Sequence, residues 1–108
     1  MKQQLTVQES AYLIKRGVRR NRMNLNFEPI FNIADLLEIL PKEMYGEETD
    51  YCDCKLHILS NELGWTAAYI AICGSEIVTM KFTSYGKDLI DALFALMCKL
   101  LDNHVKLD

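Results

Sequence analysis

The sequence predicts an α+β domain, and three observations lead to this prediction. Apolar residues recur at helical spacing in "DLIDALFALMCKLL" (88–101). Strand-like runs at 51–59, 65–73 and 76–83 are separated only by short turn segments. Two apolar stretches near the N-terminus follow helix-capping residues. The expected order is α-α-β-β-β-α, with an antiparallel three-stranded or slightly larger meander and the helices packed on one face. A length of 108 residues fits a single domain, 1–108.

The two N-terminal helices are predicted from their first residues. Thr6 and Glu9 have the spacing of a capping box, in which side chain and backbone satisfy each other, so a helix is expected over about 7–16. Asn32 begins "NIADLLEILP", whose apolar residues share one face and whose proline ends or kinks a helix at about residue 40.

The segment "YCDCKLH" (51–57) suggests a metal site, but its spacing argues against one. On a strand, Cys52 and Cys54 point to one side of the sheet and His57 points to the other. A structural zinc site needs four converging ligands, and Cys73 and Cys98 are isolated in the chain. We therefore expect the cysteines to be buried thiols, with no metal and no cofactor.

Catalysis finds little support in the sequence. His57 and His104 are the two histidines, and neither lies beside a serine or cysteine in a nucleophile motif. There is no glycine-rich phosphate-binding loop. We expect that the protein is not an enzyme.

The charge is distributed unevenly along the chain. Residues 1–26 carry six cations and one acid, a net charge of +5, whereas residues 27–108 carry six lysines and fourteen acids, a net charge of −8. The basic segment contributes four candidate phosphate contacts, Arg16, Arg19, Arg20 and Arg22. Nucleic-acid binding is therefore the alternative function. A segment that is solvated, or that docks on its own acidic body or on a neighbouring copy, explains the same residues.

Three aromatic side chains are candidates for a protein-binding surface. Trp65 and Tyr69 lie four residues apart on one face of the central strand, and Tyr85 follows the third strand-like run. Aromatic residues are enriched at protein interfaces. Packing of the same side chains within the core is the competing expectation.

The chain resembles a family of small uncharacterised proteins from prophages and mobile elements of Bacteroides-type gut bacteria. The resemblance rests on "FNIADLLEILPK" (31–42), on the W-x₃-Y pattern of Trp65 and Tyr69, and on "DLIDALFALMCKLL" (88–101). These motifs are mainly structural. The resemblance implies an accessory protein that acts by binding.

Within this prediction, the order helix, three-stranded meander, helix also resembles the layout of a double-stranded RNA-binding domain. Such domains need a cluster of lysines at the start of the last helix, which contacts phosphates across a groove. Here Lys87 stands alone beside Asp88 and Asp91. We therefore expect no RNA binding at this position.

These observations favour a non-enzymatic interaction protein that binds a protein partner or associates with itself. The chain has no run of about 18 apolar residues and no apolar stretch typical of a signal peptide at its start. We therefore expect a cytoplasmic protein without membrane contact.

Overall fold

The computed structural model describes residues 3–18, 30–44, 54–73, 76–105 and 107. Its elements, in chain order, are α1 (Val7–Lys15), α2 (Ile33–Ile39), β1 (Glu43–Met44), β2 (Cys54–Asn61), β3 (Gly64–Cys73), β4 (Glu76–Gly86) and α3 (Leu89–Asp102). The strands form one antiparallel sheet in the order β1-β2-β3-β4. The predicted α+β class and the meander are confirmed.

The sheet is larger by one short edge strand than the three runs in the sequence indicated. β1 follows α2 directly and pairs Glu43 with Lys55 and Met44 with Cys54. A two-residue strand is too short to show the alternation of apolar and polar residues by which a strand is recognised in a sequence. Among the described residues, no helix is both long enough and apolar enough to cross a membrane.

Both predicted helix starts are confirmed as reciprocal capping boxes. The Thr6 hydroxyl accepts from the amide of Glu9 at 3.1 Å, and the Glu9 carboxylate accepts from the amide of Thr6 at 2.9 Å. Asn32 and Asp35 make the same exchange at 2.8 and 3.0 Å. Each box satisfies two amides that an uncapped helix leaves without partners.

The core lies between α3 and one face of the sheet. Alternate residues of β3, Ala67 and Tyr69, belong to this core, as does Leu36 of α2. α3 contributes six fully buried side chains: Ile90, Ala92, Leu93, Leu96, Met97 and Leu100. Burying a large aliphatic side chain stabilises a fold by about 1.5–3 kcal/mol, so this helix supplies much of the stabilisation.

α1 attaches to the body through its buried side and through α3. The Ser10 hydroxyl accepts from the amide of Phe31 at 3.1 Å, and Leu13 is fully buried. On the α3 side, the rings of Tyr12 and Phe94 meet edge to face with their centroids 6.3 Å apart. This arrangement leaves Val7 exposed on the free side of the helix.

A β-bulge in β4 determines which side chains of this strand point away from the core. β3 pairs Ala67 with Ser84 and Tyr69 with Lys81, so β4 has one extra residue between these pairs. Phe82 lies at the bulge with a φ of +53°, a conformation that is uncommon for aromatic residues. Its half-buried ring packs against the core. After the bulge, the Ser84 side chain is buried and the Tyr85 side chain points outward.

A Gly86→Ala substitution is expected to destabilise the fold. A Cβ atom at Gly86 would lie 2.9 Å from the carbonyl oxygen of Asp88 and closer still to the backbone nitrogen of Ala92. Because backbone cannot move aside as a flexible side chain can, we expect a loss of about 3 kcal/mol in the free energy of unfolding, measured by urea denaturation.

The matched control is Ser84→Ala in the same strand. The Ser84 hydroxyl is buried and makes no hydrogen bond within the described part of the chain. Removing an unsatisfied hydroxyl should leave the free energy of unfolding unchanged or raise it by about 1 kcal/mol. A stable Gly86→Ala protein would show that the close approach between β4 and α3 is not required.

Candidate functional site

A groove of about 370 Å³ opens at the end of the sheet where β2 turns into β3. We call it the hairpin-end groove. Its described lining consists of two glycines, Gly64 and Gly86, and six larger residues: Asn61, Leu63, Trp65, Thr66, Tyr85 and Lys87. The groove therefore combines apolar and aromatic surface with one cation.

The turn between β2 and β3 holds one apolar side chain out in solvent. The side-chain oxygen of Asn61 accepts from the amides of Leu63 at 2.8 Å and of Gly64 at 3.1 Å. Gly64 has a φ of +143°, which L-residues rarely adopt. These contacts fix the backbone of the turn, and Leu63 is 91 % exposed on it.

Two glycines allow the turn to lie close to the start of α3. A Cβ atom at Gly64 would collide with the carbonyl oxygen of Gly86 and lie 3.2 Å from the Cα atom of Lys87. Gly86 itself pairs with Trp65 across the sheet. The absence of side chains at these two positions brings Lys87 to the edge of the groove.

The outward face of the sheet is open at this end. Leu59, Thr66 and Tyr85 are cross-strand neighbours on that face, and Leu59 is 55 % and Tyr85 72 % exposed. Farther along the same face of β3, Ala68 and Ile70 are buried. Among the side chains that the structure describes on this face, the exposed apolar ones therefore lie at the hairpin end.

Trp65 and Tyr69 share one face of β3, as the W-x₃-Y pattern predicts, but they differ in exposure. The Tyr69 side chain has no exposed surface, and its hydroxyl donates to the carbonyl oxygen of Pro41 at 2.8 Å. Tyr69 is therefore a core residue, and its assignment to an exposed interaction surface is corrected. Trp65 is only half-buried and lines the groove, where Tyr85 joins it.

Only the first of the four candidate phosphate-binding arginines lies in the described part of the chain. The Arg16 guanidinium forms an ion pair with Asp102 at 3.1 Å and donates to the Tyr12 hydroxyl at 2.7 Å. It thus joins α1 to the end of α3. Arg19, Arg20 and Arg22 lie outside the described residues.

The cysteines and histidines do not converge where the structure describes them. Cys54 is buried in the core, whereas His57 lies on the opposite face of β2. Burial raises the pKa of the half-buried Cys98 thiol, with a further contribution from Asp102, which keeps the sulfur protonated and weakly nucleophilic. No group of three potential metal ligands occurs among the described residues. Cys52 and the side chain of Cys73 lie outside them.

Sequence reasoning missed Leu59 and Leu63 as functional candidates. Leu63 had a recognisable signal, because an apolar residue within the turn segment "SNELG" has little chance of burial. Leu59 shares a strand face with Lys55 and His57, which also indicated the solvent side.

Comparisons with protein-family models, with curated proteins and with solved structures find no match for this chain.

The buried hydroxyl of Tyr69 is expected to make the stability pH-dependent at alkaline pH. Burial raises the pKa of Tyr69 above the ordinary value of about 10. A raised pKa means that the full stabilisation is present below pH 10 and is lost as the pH rises further, because the unfolded chain ionises first. The free energy of unfolding, measured in urea between about pH 8 and pH 11, should fall above pH 10.

The comparison for this effect is Tyr69→Phe. It should be less stable at pH 8 by about 1 kcal/mol, because the hydrogen bond to Pro41 is lost. Its stability should fall less steeply above pH 10, since the lysines and other tyrosines are the same in both proteins. If the free energy of unfolding fell equally steeply with pH in both proteins, Tyr69 would not be the cause of the alkaline loss of stability.

Proposed function

We propose that this chain is a non-enzymatic binding protein and that the hairpin-end groove is its recognition surface. The observation that carries this proposal is that two exposed apolar residues, Leu63 and Tyr85, line one groove. A third, Leu59, lies opposite the lining residue Thr66 on the neighbouring strand. Single exposed apolar side chains are ordinary on protein surfaces, but contiguous ones mark interaction sites.

The lining of the groove indicates the chemistry of its occupant. Trp65 and Tyr85 provide aromatic surface for an aliphatic or aromatic side chain. Lys87 is the only described lining residue that is charged at neutral pH. A protein segment that presents an apolar side chain next to a carboxylate would satisfy both features.

The same lining supports binding rather than catalysis. A catalytic site needs a nucleophile or an acid–base pair in contact with each other and with the substrate. The described lining offers one lysine, one amide and two hydroxyl groups, without a histidine or a carboxylate beside them.

The proposed biological setting is that of an accessory protein of a prophage or mobile element. The resemblance of residues 31–42, of the W-x₃-Y pattern and of residues 88–101 to such small proteins supports it. Arg16 gives no support to the nucleic-acid alternative, because its guanidinium is already paired with Asp102 within the chain.

A titration with blocked tripeptides, followed by nuclear magnetic resonance, tests the proposal. A peptide with glutamate followed by leucine should shift the Trp65 indole signal and the Leu63 and Tyr85 signals saturably. We expect a Kd on the order of 1 mM, because one leucine side chain is buried with one exposed ion pair.

Two control peptides separate the apolar and charged contributions. Replacing the leucine of the peptide by serine should abolish the shifts, and replacing its glutamate by lysine should weaken them. The Tyr85→Ala protein should lose binding, whereas Val7→Ala, an exposed apolar position on α1, should keep it. Equal shifts with all three peptides would contradict a specific groove.

A further inference from the structure

The tip of the β2–β3 hairpin carries the two groups that the groove is suited to bind. Leu63 is 91 % exposed, and Glu62 precedes it in the same turn. This is an apolar side chain next to a carboxylate, held on a backbone that the Asn61 side chain fixes. A preorganised tip loses little conformational entropy on binding.

The tip and the groove lie next to each other on one surface. Leu63 lines the groove but remains almost fully exposed, so it does not fill the groove of its own chain. When a protruding group and its complementary groove share one patch, a two-fold axis through that patch places each protrusion in the other copy's groove. A patch of this kind can meet its own copy across a two-fold axis.

The charges at this patch agree with a two-fold arrangement. Within the described part of the chain, neither Glu62 nor Lys87 forms an ion pair. In a two-fold arrangement that seats each tip in the other copy's groove, Glu62 of each copy would face Lys87 of the other and form two equivalent ion pairs. Opposite charges placed in this way favour the correct register of association.

We propose that the hairpin-end groove binds the hairpin tip of a second copy of this chain, with Leu63 seated against the apolar lining of the groove and Glu62 paired with Lys87. The inference rests on the proposed function and names the partner of that same surface. A patch of this size gives weak association, with a Kd on the order of 100 µM.

Sedimentation equilibrium of the full chain and of two charge-reversal variants, Glu62→Lys and Lys87→Glu, tests the proposal. Each variant alone places like charges at both contacts of a dimer, so its self-association should weaken at least about tenfold. An equimolar mixture of the two variants has opposite charges at both contacts. It should associate as tightly as the unmodified protein, and added salt should weaken this association.

Two neutral substitutions complete the design. Leu63→Ser removes both protruding groups of a dimer and should weaken association about a hundredfold. Val7→Ser removes exposed apolar surface on α1 and should leave the dimer unchanged. All three side chains that are replaced to weaken the dimer lie in the exposed turn or at the groove edge, so the variants should unfold in urea like the parent.

The outcomes separate this inference from the proposed function. A dimer that the mixed variants restore supports a second copy as the occupant. A chain that stays monomeric at millimolar concentration overturns the inference, yet saturable peptide binding would then keep the binding function with a different partner. A dimer that ignores the charge reversals, or that Val7→Ser dissociates, places the contact elsewhere and also overturns the inference.

Discussion

Burial of the apolar face of α3 against the sheet is the contact on which the rest of this structure depends. Six side chains of the helix are fully buried, and they meet Ala67 and Tyr69 of β3. α2 packs on the same helix through Leu36, and α1 reaches it through Tyr12 and Phe94. Because burial is favourable in proportion to the apolar area removed from water, the longest apolar helix organises the other elements around itself.

This packing also explains why the candidate site lies at the hairpin end. α3 covers one face of the sheet, and the opposite face is buried at Ala68 and Ile70. Among the described side chains of the sheet and its turns, the large apolar ones that remain exposed are Leu59, Leu63 and Tyr85, all at the hairpin end. There, Gly64 and Gly86 allow backbone segments to approach so closely that no side chain fits between them. The groove is the open space beside this contact.

The structure explains part of the uneven distribution of charge along the chain. Arg16, the first of the four arginines in the basic segment, pairs with Asp102 at the end of α3. A basic residue is thus neutralised by the acidic body, which the sequence alone had left as one of several explanations. Because solvent screens this exposed ion pair at 3.1 Å, it contributes little to the free energy of unfolding. The pair links the C-terminal end of α1 to the C-terminal end of α3.

The sequence by itself determined the local features: the capping boxes at Thr6 and Asn32, the helical face of α3, the strand alternation and the turn at "SNELG". Each depends on residues within a few positions of one another. Only the tertiary structure decided which aromatic residues are exposed. Had the ladder continued regularly from the Tyr69–Lys81 pair, position 85 would lie opposite Trp65. The bulge at Phe82 shifts the register, so Tyr85 pairs with Thr66 and points to solvent. One inserted residue reverses the alternation of side chains, and strand periodicity cannot reveal it in advance.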